Sequence, residues 1–283
     1  MTKWKKILFD KSNKITKINK EKNFDEFSKG VEIDGYISNE NYSSKNKFFN
    51  HYLHGRYLIW NDFLKNNLNP KEKTLSIASG RGINELALIV ENFNVTCSDL
   101  KIPPCYDDSK KLFGNFDYKE LDILKNKISD NFENIFCLSA LYIFSDSELR
   151  KAFNNMNETL KKNGTLIIDI GGAENNFVSY TLHNLYLVIE AYSFYLLSKV
   201  FKKNTGVIFD NNFGYRRKNH EIIKMAEDNG FKLVKFEEYD YLTELQRSLL
   251  INKILKYFPF LKKIFILIGK SIPYIRFFKF KKI

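Results

Sequence analysis

Apolar residues follow two different periodicities along this chain, and the changes between them predict the order of helices and strands. Between Phe48 and Leu64, large apolar residues recur at intervals of three or four, which predicts one amphipathic helix ending near Asn69-Pro70. Short β-prone segments follow, and those in the middle of the chain are mostly apolar, as in strands buried on both faces of a parallel sheet. These segments are 74–78, 95–99, 134–138, 165–169 and 231–236.

Helical spacing separates the strands at 84–91, 147–161 and 221–228. This alternation predicts a doubly wound, mostly parallel sheet of the α/β class. Lys162-Asn163-Gly164 is expected to end the second of these helices, with Gly164 in the left-handed position after the last turn. Asn229-Gly230 repeats that arrangement after the third.

The chain divides into three predicted parts. Residues 1–23 are rich in lysine and asparagine and poor in large apolar groups, which predicts a flexible arm. Residues 24–70 are expected to form a helical cap and residues 71–283 the main domain. Helical insertions at about 173–206 and 244–270 interrupt the main domain. The first is interpreted as a lid or added core layer and not as a membrane span, because His183, Asn184 and Glu190 interrupt it.

Composition narrows the class of protein further. A hydrophobic fraction of 44% and an aromatic fraction of 16% exclude a disordered chain. The formal charge of +12 suits nucleic acid, anionic lipid or an acidic substrate, but it also follows from a general abundance of lysine, so charge alone does not choose a partner. Cys97, Cys105 and Cys137 lack the spacings of zinc or disulfide sites. With no apolar run after Met1, we expect a cytoplasmic protein with reduced thiols and no metal.

The segment Leu75-Ser76-Ile77-Ala78-Ser79-Gly80-Arg81-Gly82 joins the first predicted strand of the main domain to a helix. A glycine-rich turn lets backbone amides approach a ligand, and a helix N-terminus favours negative charge nearby. Asp99 lies 17 residues after Gly82 at the end of the next strand, where its carboxylate can bind ribose hydroxyls. A purely structural turn is the alternative. A nicotinamide site is disfavoured, because Glu85 stands where its fingerprint needs a third glycine.

With Asp122 following in Glu120-Leu121-Asp122-Ile123, residues 74–238 resemble the class I, Rossmann-like S-adenosylmethionine-dependent methyltransferases. The resemblance implies a seven-stranded sheet with a last antiparallel strand at Tyr274 to Phe280. Ser76 and Ala78 depart from the family, which usually has an acidic residue and a glycine there. The cofactor contacts that the resemblance implies are Ala78, Ser79, Gly80, Gly82, Asp99, Leu100, Asp122, Ile123, Ser139 and, as an alternative to a solvated arginine, Arg56.

Methyl transfer from this cofactor is an in-line displacement, in which positioning supplies much of the catalysis and a general base is optional. The candidate catalytic residues are His51 and His54, otherwise surface histidines, and Tyr215. Arg216 and Arg217 could grip a substrate phosphate or carboxylate, or belong to an ordinary basic loop. Tyr142 lies in Ser139-Ala140-Leu141-Tyr142, where the family places residues near the reacting methyl. The sequence has no Asn-Pro-Pro-Tyr or Asp-Pro-Pro-Tyr motif, and this argues against an enzyme that methylates nucleic-acid amino groups.

The preferred hypothesis is O-methylation of a small molecule, with a sugar or surface-polysaccharide precursor as acceptor. Methylation of a membrane lipid or quinone is the alternative, motivated by the two apolar insertions. A non-catalytic nucleic-acid-binding module is a third hypothesis. The chain has no recognisable aromatic RNA-binding motif, which argues against it. Residues 258–265 and 276–282 mix cations with aromatic side chains, as in segments that rest on anionic membranes. The sequence leaves the oligomeric state open.

Overall fold

The structure, a computed structural model, describes residues 2–10, 43–53, 55–103, 105–125, 131–170, 206–240, 254–270 and 273–283. The strands are β1 (Thr2–Asp10), β2 (Thr74–Ile77), β3 (Val95–Asp99), β4 (Tyr118–Glu120), β5 (Phe132–Leu138), β6 (Leu160–Asp169), β7 (Gly206–Arg216), β8 (Phe231–Asp240) and β9 (Pro273–Lys282). The helices are α1 (Lys45–Tyr52), α2 (Arg56–Asn67), α3 (Ile83–Val90), α4 (Tyr106–Phe113), α5 (Asp146–Thr159), α6 (Asn219–Glu227) and α7 (Pro259–Lys270).

Seven strands form one sheet in the order β4-β3-β2-β5-β6-β9-β8. All neighbouring pairs from β4 to β6 are parallel, whereas β9 runs antiparallel to both β6 and β8. This confirms the predicted doubly wound, mostly parallel sheet and its last antiparallel strand. The chain proceeds outward from β2 in one direction and continues from β5 in the other. Ligands of open α/β sheets bind at the carboxyl ends of the strands at such a switch in direction.

Apolar side chains cover both faces of the sheet. On one face, Phe153 and Met156 of α5 pack with Phe231, Phe278 and Phe280. On the other face, α2 contributes Trp60, Phe63 and Leu64, and the Phe63 ring stacks on Phe277 with centroids 3.9 Å apart. Parallel strands buried on both faces explain why the sequence of this region contains continuous apolar segments.

The single helix predicted from Phe48 to Leu64 is instead two helices, α1 and α2. Gly55 precedes α2 with φ +55° and ψ −125°, a backbone conformation that side chains other than glycine avoid. The apolar spacing continues across this break because both helices pack on the same body, so periodicity alone did not reveal it.

Two segments outside the seven-stranded sheet have a structure that the sequence analysis did not predict. The sequence predicts a flexible arm for residues 1–23, whereas Thr2–Asp10 form β1 and pair antiparallel with β7 in a separate two-stranded sheet. Arg216, for which an ordinary basic loop was one of two alternatives, belongs to β7. β1 and β7 form because their backbones hydrogen-bond to each other, although they lie about 200 residues apart in the sequence. Local composition gives no sign of such distant pairing. Of the insertion predicted at about 173–206, residues 173–205 lie outside the described residues, and the predicted domain division stays a prediction.

The helix predicted to reach Lys161 ends at Thr159, and Lys162-Asn163-Gly164 belong to β6. Asn163, not Gly164, has the left-handed backbone, with φ +62°. Gly164 is required for a different reason, because a Cβ there would lie 2.8 Å from the carbonyl oxygen of Lys161. Gly230 has φ +81°, as the sequence predicts.

The three cysteines form no disulfide with described residues, and all are buried. Burial raises the pKa of Cys97 and Cys137 well above that of an ordinary thiol, so both stay protonated at neutral pH. None of the helices in the described part of the chain is both long and apolar enough to cross a membrane.

Candidate cofactor site

The loop between β2 and α3 lies at the carboxyl edge of the sheet, where the strand order reverses. Its backbone is left-handed at Ala78 (φ +58°), Gly80 (φ +55°) and Gly82 (φ +72°). The Ser79 N–H donates to the carbonyl of Ser98 over 2.9 Å, which fixes the loop to β3. A Cβ built on Gly80 would have no atom of the described residues within 4 Å, so the described part of the chain leaves the space above this residue open. The loop is thus a rigid edge with open space beside its backbone.

Asp99 ends β3 and faces this loop. Its two carboxylate oxygens accept hydrogen bonds from the Gly80 N–H over 2.8 Å and from the Leu100 N–H over 2.7 Å. Burial raises the pKa of Asp99, and the two backbone hydrogen bonds partly oppose that rise. Because a carboxylate oxygen can accept two hydrogen bonds, each oxygen keeps capacity for a ligand hydroxyl.

A buried carboxyl group that the sequence analysis did not select lies beneath the loop. Glu85, in the first turn of α3, is 5% exposed and accepts a hydrogen bond from the Ser76 hydroxyl. Burial raises its pKa from 4.5 to about 7, and the hydrogen bond from Ser76 opposes this rise. Ser98 donates to the carbonyl oxygen of Ser76 over 2.6 Å. The serine at the position where the family has an acid therefore contacts an acid supplied by the next helix.

Ser139 follows β5 and has φ +52°, a conformation that costs energy for any residue with a side chain. Its N–H donates to the carbonyl of Asp169 at the end of β6, over 2.9 Å. Among the described residues, only Ala78, Asn92, Ser139 and Asn163 have positive φ without being glycine. The two asparagines tolerate this region well. The other two, Ala78 and Ser139, follow adjacent parallel strands at the same edge, where strain often accompanies function.

Asp122 and Ile123 follow β4, next to β3, since the Leu121 N–H donates to the carbonyl of Asp99. The Asp122 carboxylate accepts the Leu124 N–H over 3.0 Å and pairs with Lys125 at 3.2 Å. The Ile123 side chain is 6% exposed and packs in the core, so only its backbone can face a ligand. Leu100 is 44% exposed beside Asp99.

Beyond β5, at the end of β6, the buried Asp169 carboxylate accepts a hydrogen bond from the indole N–H of Trp60 in α2 over 3.0 Å. The Arg56 guanidinium lies over the Trp60 ring, 5.2 Å from its centroid. Tyr142 is close enough to both charges for its pKa to respond: burial raises the pKa, the Arg56 charge lowers it and Asp169 raises it. The structure thus brings Arg56 and Tyr142 together with two residues that the sequence analysis did not select, Trp60 and Asp169.

Tyr215 and Arg217 lie together near the end of β7, with the guanidinium of Arg217 5.3 Å from the Tyr215 ring centroid. Arg217 is fully buried and donates from Nε to Asp146 over 2.9 Å and from Nη2 to the Phe144 carbonyl over 2.6 Å. It is therefore not part of an exposed basic loop. Its Nη1 has no hydrogen-bond partner among the described residues. For Arg216 only the backbone is described, paired with Thr2.

The side chains of the two candidate histidines are not among those that the structure describes. His51 belongs to α1, and its side chain is not among those described, while His54 lies outside the described residues. Their catalytic assignment stays a prediction. Arg81 of the loop lies over the Tyr52 ring of α1, 5.2 Å from its centroid, which places α1 beside the loop.

No protein-family model and no curated protein sequence matches this chain. Its structure is similar to magnesium protoporphyrin IX methyltransferase from Synechocystis PCC 6803 with bound S-adenosylhomocysteine, at 13% identity and a TM-score of 0.54, covering 92% of this chain and 96% of that chain. It is also similar to 1,6-didemethyltoxoflavin-N1-methyltransferase from Burkholderia thailandensis, at 12% identity and a TM-score of 0.51, covering 84% and 86%. A third is mitomycin 7-O-methyltransferase, at 12% identity and a TM-score of 0.50, covering 92% and 67%.

These similarities extend over most of the chain. At such low identity they report the arrangement of the backbone. Together with the observed strand order, they establish that the chain has the fold of the class I, Rossmann-like S-adenosylmethionine-dependent methyltransferases.

Proposed function

We propose that the protein transfers a methyl group from S-adenosylmethionine to a small molecule, and that the acceptor is a hydroxyl of a sugar or surface-polysaccharide precursor. The observation that carries the cofactor assignment is the pairing of Asp99 with Gly80, a carboxylate beside an open, left-handed glycine at the switch point of the sheet. Three structurally similar proteins are named as methyltransferases. Two of these structures contain bound S-adenosylhomocysteine, and the third protein is named for methylation of an oxygen.

The residues at this edge fit the parts of the cofactor. Asp99 keeps acceptor capacity for the ribose hydroxyls, and the exposed Leu100 offers an apolar surface to a nucleobase. Gly82 begins α3, whose N-terminus favours the carboxylate end of the amino-acid moiety. The Asn84 side-chain oxygen is buried and has no hydrogen-bond partner among the described residues, so it can accept a hydrogen bond from an ammonium group.

When bound, S-adenosylmethionine supplies an electrophilic methyl group on a positively charged sulfur. The protein's own contribution is to hold that ligand and the acceptor in line and to exclude water, which can account for about 7 to 11 kcal/mol of the barrier when alignment is good. Tyr142 remains protonated at neutral pH because its pKa is raised, so it acts as a hydrogen-bond donor and not as a base. The acceptor proton then passes to solvent or to a base, for which His51, His54 and Tyr215 are the proposed candidates.

The acceptor is inferred from the polar groups at this edge of the sheet. The similar proteins include one named for methylation of a nitrogen and one for methylation of an oxygen, so the fold does not select the atom. Donors at this edge favour a polar acceptor, because the Arg56 charge lies near Tyr142, whose hydroxyl stays protonated. An arginine donor suits the phosphate of an activated sugar.

Isothermal calorimetry with S-adenosylmethionine and S-adenosylhomocysteine tests the cofactor site. We expect the wild type to bind both and Asp99→Ala to lose at least tenfold in affinity, because the variant loses a charge-assisted acceptor of about 1.4 kcal/mol or more. Asp107→Ala, which removes an exposed carboxylate from the first turn of α4, is the matched control and should bind normally. Wild-type protein that binds neither ligand, or equal binding by Asp99→Ala, would contradict the site.

Methyl transfer to a panel of acceptors tests the substrate class. Radiolabelled methyl groups should pass to nucleotide-linked sugars or polysaccharide precursors and not to quinones or phospholipids. Transfer confined to quinones or lipids would retain the cofactor site but refute the sugar assignment. Tight binding of RNA or DNA at moderate salt, without cofactor binding, would favour the nucleic-acid module instead.

A further inference from the structure

The segment before and within α7 exposes large apolar side chains to solvent. Tyr257, Phe258, Phe260 and Ile264 are 75%, 52%, 63% and 48% exposed, and we call these four residues the aromatic face. No other Phe, Tyr or Trp among the residues whose burial is described is exposed. The neighbouring Leu255 is buried, and α7 packs beside β8, so the folded body fixes this segment in place. Such a cluster marks an interaction surface.

Positive charge surrounds the aromatic face. Lys256, Lys262 and Lys263 are exposed, and none of them forms an ion pair with another described residue. In the sequence from Leu245 to Ile283 there are ten Lys or Arg residues and no Asp or Glu. The rest of the chain, in contrast, contains nearly equal numbers of basic and acidic residues. The partner of this surface is therefore expected to be anionic.

Aromatic rings and lysines on one short segment match the boundary of an anionic bilayer. Aromatic side chains occupy the interface between headgroups and acyl chains, while lysine stems extend their ammonium groups to the headgroups. A second copy of the chain fits less well. A two-fold contact would place the same lysines against each other, and the repulsion would oppose association. Charge complementarity thus favours lipid over self-association.

We propose that the aromatic face, with Lys256, Lys262 and Lys263, docks the protein onto an anionic lipid surface. The contact is peripheral, since α7 is 12 residues long and spanning a bilayer takes about 20. Each lysine near the surface of an anionic membrane strengthens binding by about fivefold. This inference does not depend on the identity of the methyl acceptor.

Co-sedimentation of the full chain with vesicles of phosphatidylcholine alone, or with added phosphatidylglycerol, tests the proposal. We expect binding to the anionic vesicles that weakens with salt, and little binding to the neutral ones. Lys262→Glu/Lys263→Glu should weaken binding about twentyfold or more, and Phe258→Ser/Phe260→Ser about tenfold. The control Lys151→Glu/Lys162→Glu makes the same change in net charge at exposed positions of α5 and β6 and should bind almost as well as wild type.

Thermal unfolding and calorimetry with S-adenosylhomocysteine should show that all three double variants keep the fold and the ligand affinity of the wild type. That readout separates a failure of this inference from a failure of the cofactor site. Equal binding to neutral and anionic vesicles, or an equal loss in the control variant, would overturn the proposal, the latter because net charge alone would then explain binding. A dimer in sedimentation velocity that Phe258→Ser/Phe260→Ser dissociates would also overturn it in favour of self-association.

Discussion

The buried carboxyl group of Glu85 makes the stability of the fold depend on pH in a direction opposite to that of an ordinary acidic residue. Its pKa is 4.5 when exposed to solvent and about 7 in the folded protein, chiefly because of burial. Between these two values the folded state holds a proton that the unfolded chain has released. The contribution of Glu85 is therefore most favourable at low pH and is lost as pH rises through about 7.

The size of the effect follows from the two pKa values. At about 1.4 kcal/mol for each tenfold change, ionised Glu85 costs about 3 kcal/mol at a pH well above 7. About 2 kcal/mol of this cost develops between roughly pH 5.5 and pH 8.5. Glu85→Gln removes the charge but keeps an amide oxygen that can accept from Ser76. We therefore expect the variant to gain about 2 kcal/mol relative to wild type across that interval.

Urea unfolding of the ligand-free protein at several pH values measures this difference, and an intrinsic offset between Glu and Gln cancels because only its change with pH is used. Glu91→Gln is the control at the C-terminal cap of the same helix, since Glu91 is about half exposed and pairs with Lys65 at the surface. Its difference from wild type should stay within about 0.5 kcal/mol at all pH values. A pH-independent difference for Glu85→Gln would refute the reasoning, because it would mean that this carboxyl ionises in the folded protein at no cost.

Two further predictions concern the strained and buried groups at the same edge of the sheet. Ala78→Gly should stabilise the protein by about 0.5 kcal/mol in urea unfolding, because relief of the left-handed backbone at φ +58° exceeds the added entropy of glycine in the unfolded chain; a loss of 1 kcal/mol or more would contradict it. Trp60→Phe should cost about 1 to 3 kcal/mol, because the buried Asp169 loses an indole donor, and an unchanged midpoint would show that this hydrogen bond is replaced.

The central part of the fold could be predicted because its signals are local. Strands β2, β3, β5 and β6 were all indicated, since strands covered on both faces need apolar or β-prone side chains throughout. Strand β4 and helix α4 were not indicated, because three residues of strand and eight of amphipathic helix give too short a pattern to recognise. Strand β1 depends on a partner strand far along the chain, so no local pattern identifies it.

In the candidate site, too, the sequence identified residues with a local signal and missed contacts between distant segments. Asp99 was predicted at the end of the strand after the glycine loop, and the structure shows its carboxylate accepting a hydrogen bond from the Gly80 N–H. Arg217 shows what local sequence leaves out. Two adjacent arginines in a polar segment indicate an exposed basic loop, whereas the guanidinium of Arg217 is fully buried against Asp146 and the Phe144 carbonyl.

Ser76 and Glu85 show how a departure from a family pattern can be compensated in three dimensions. The sequence suggests that the acidic group of the first strand is missing, because Ser76 occupies its position. In the structure, the first turn of α3 returns to the end of β2, and Glu85 reaches the Ser76 hydroxyl. An acidic group is thus present under the loop, but it is held by a helix and is fully buried, so it ionises only near pH 7. If it stabilises the loop in its ligand-binding form mainly as a neutral group, cofactor affinity and stability should weaken together as pH rises, and Ser76→Ala should shift both transitions to higher pH by removing a hydrogen bond that favours the ionised form.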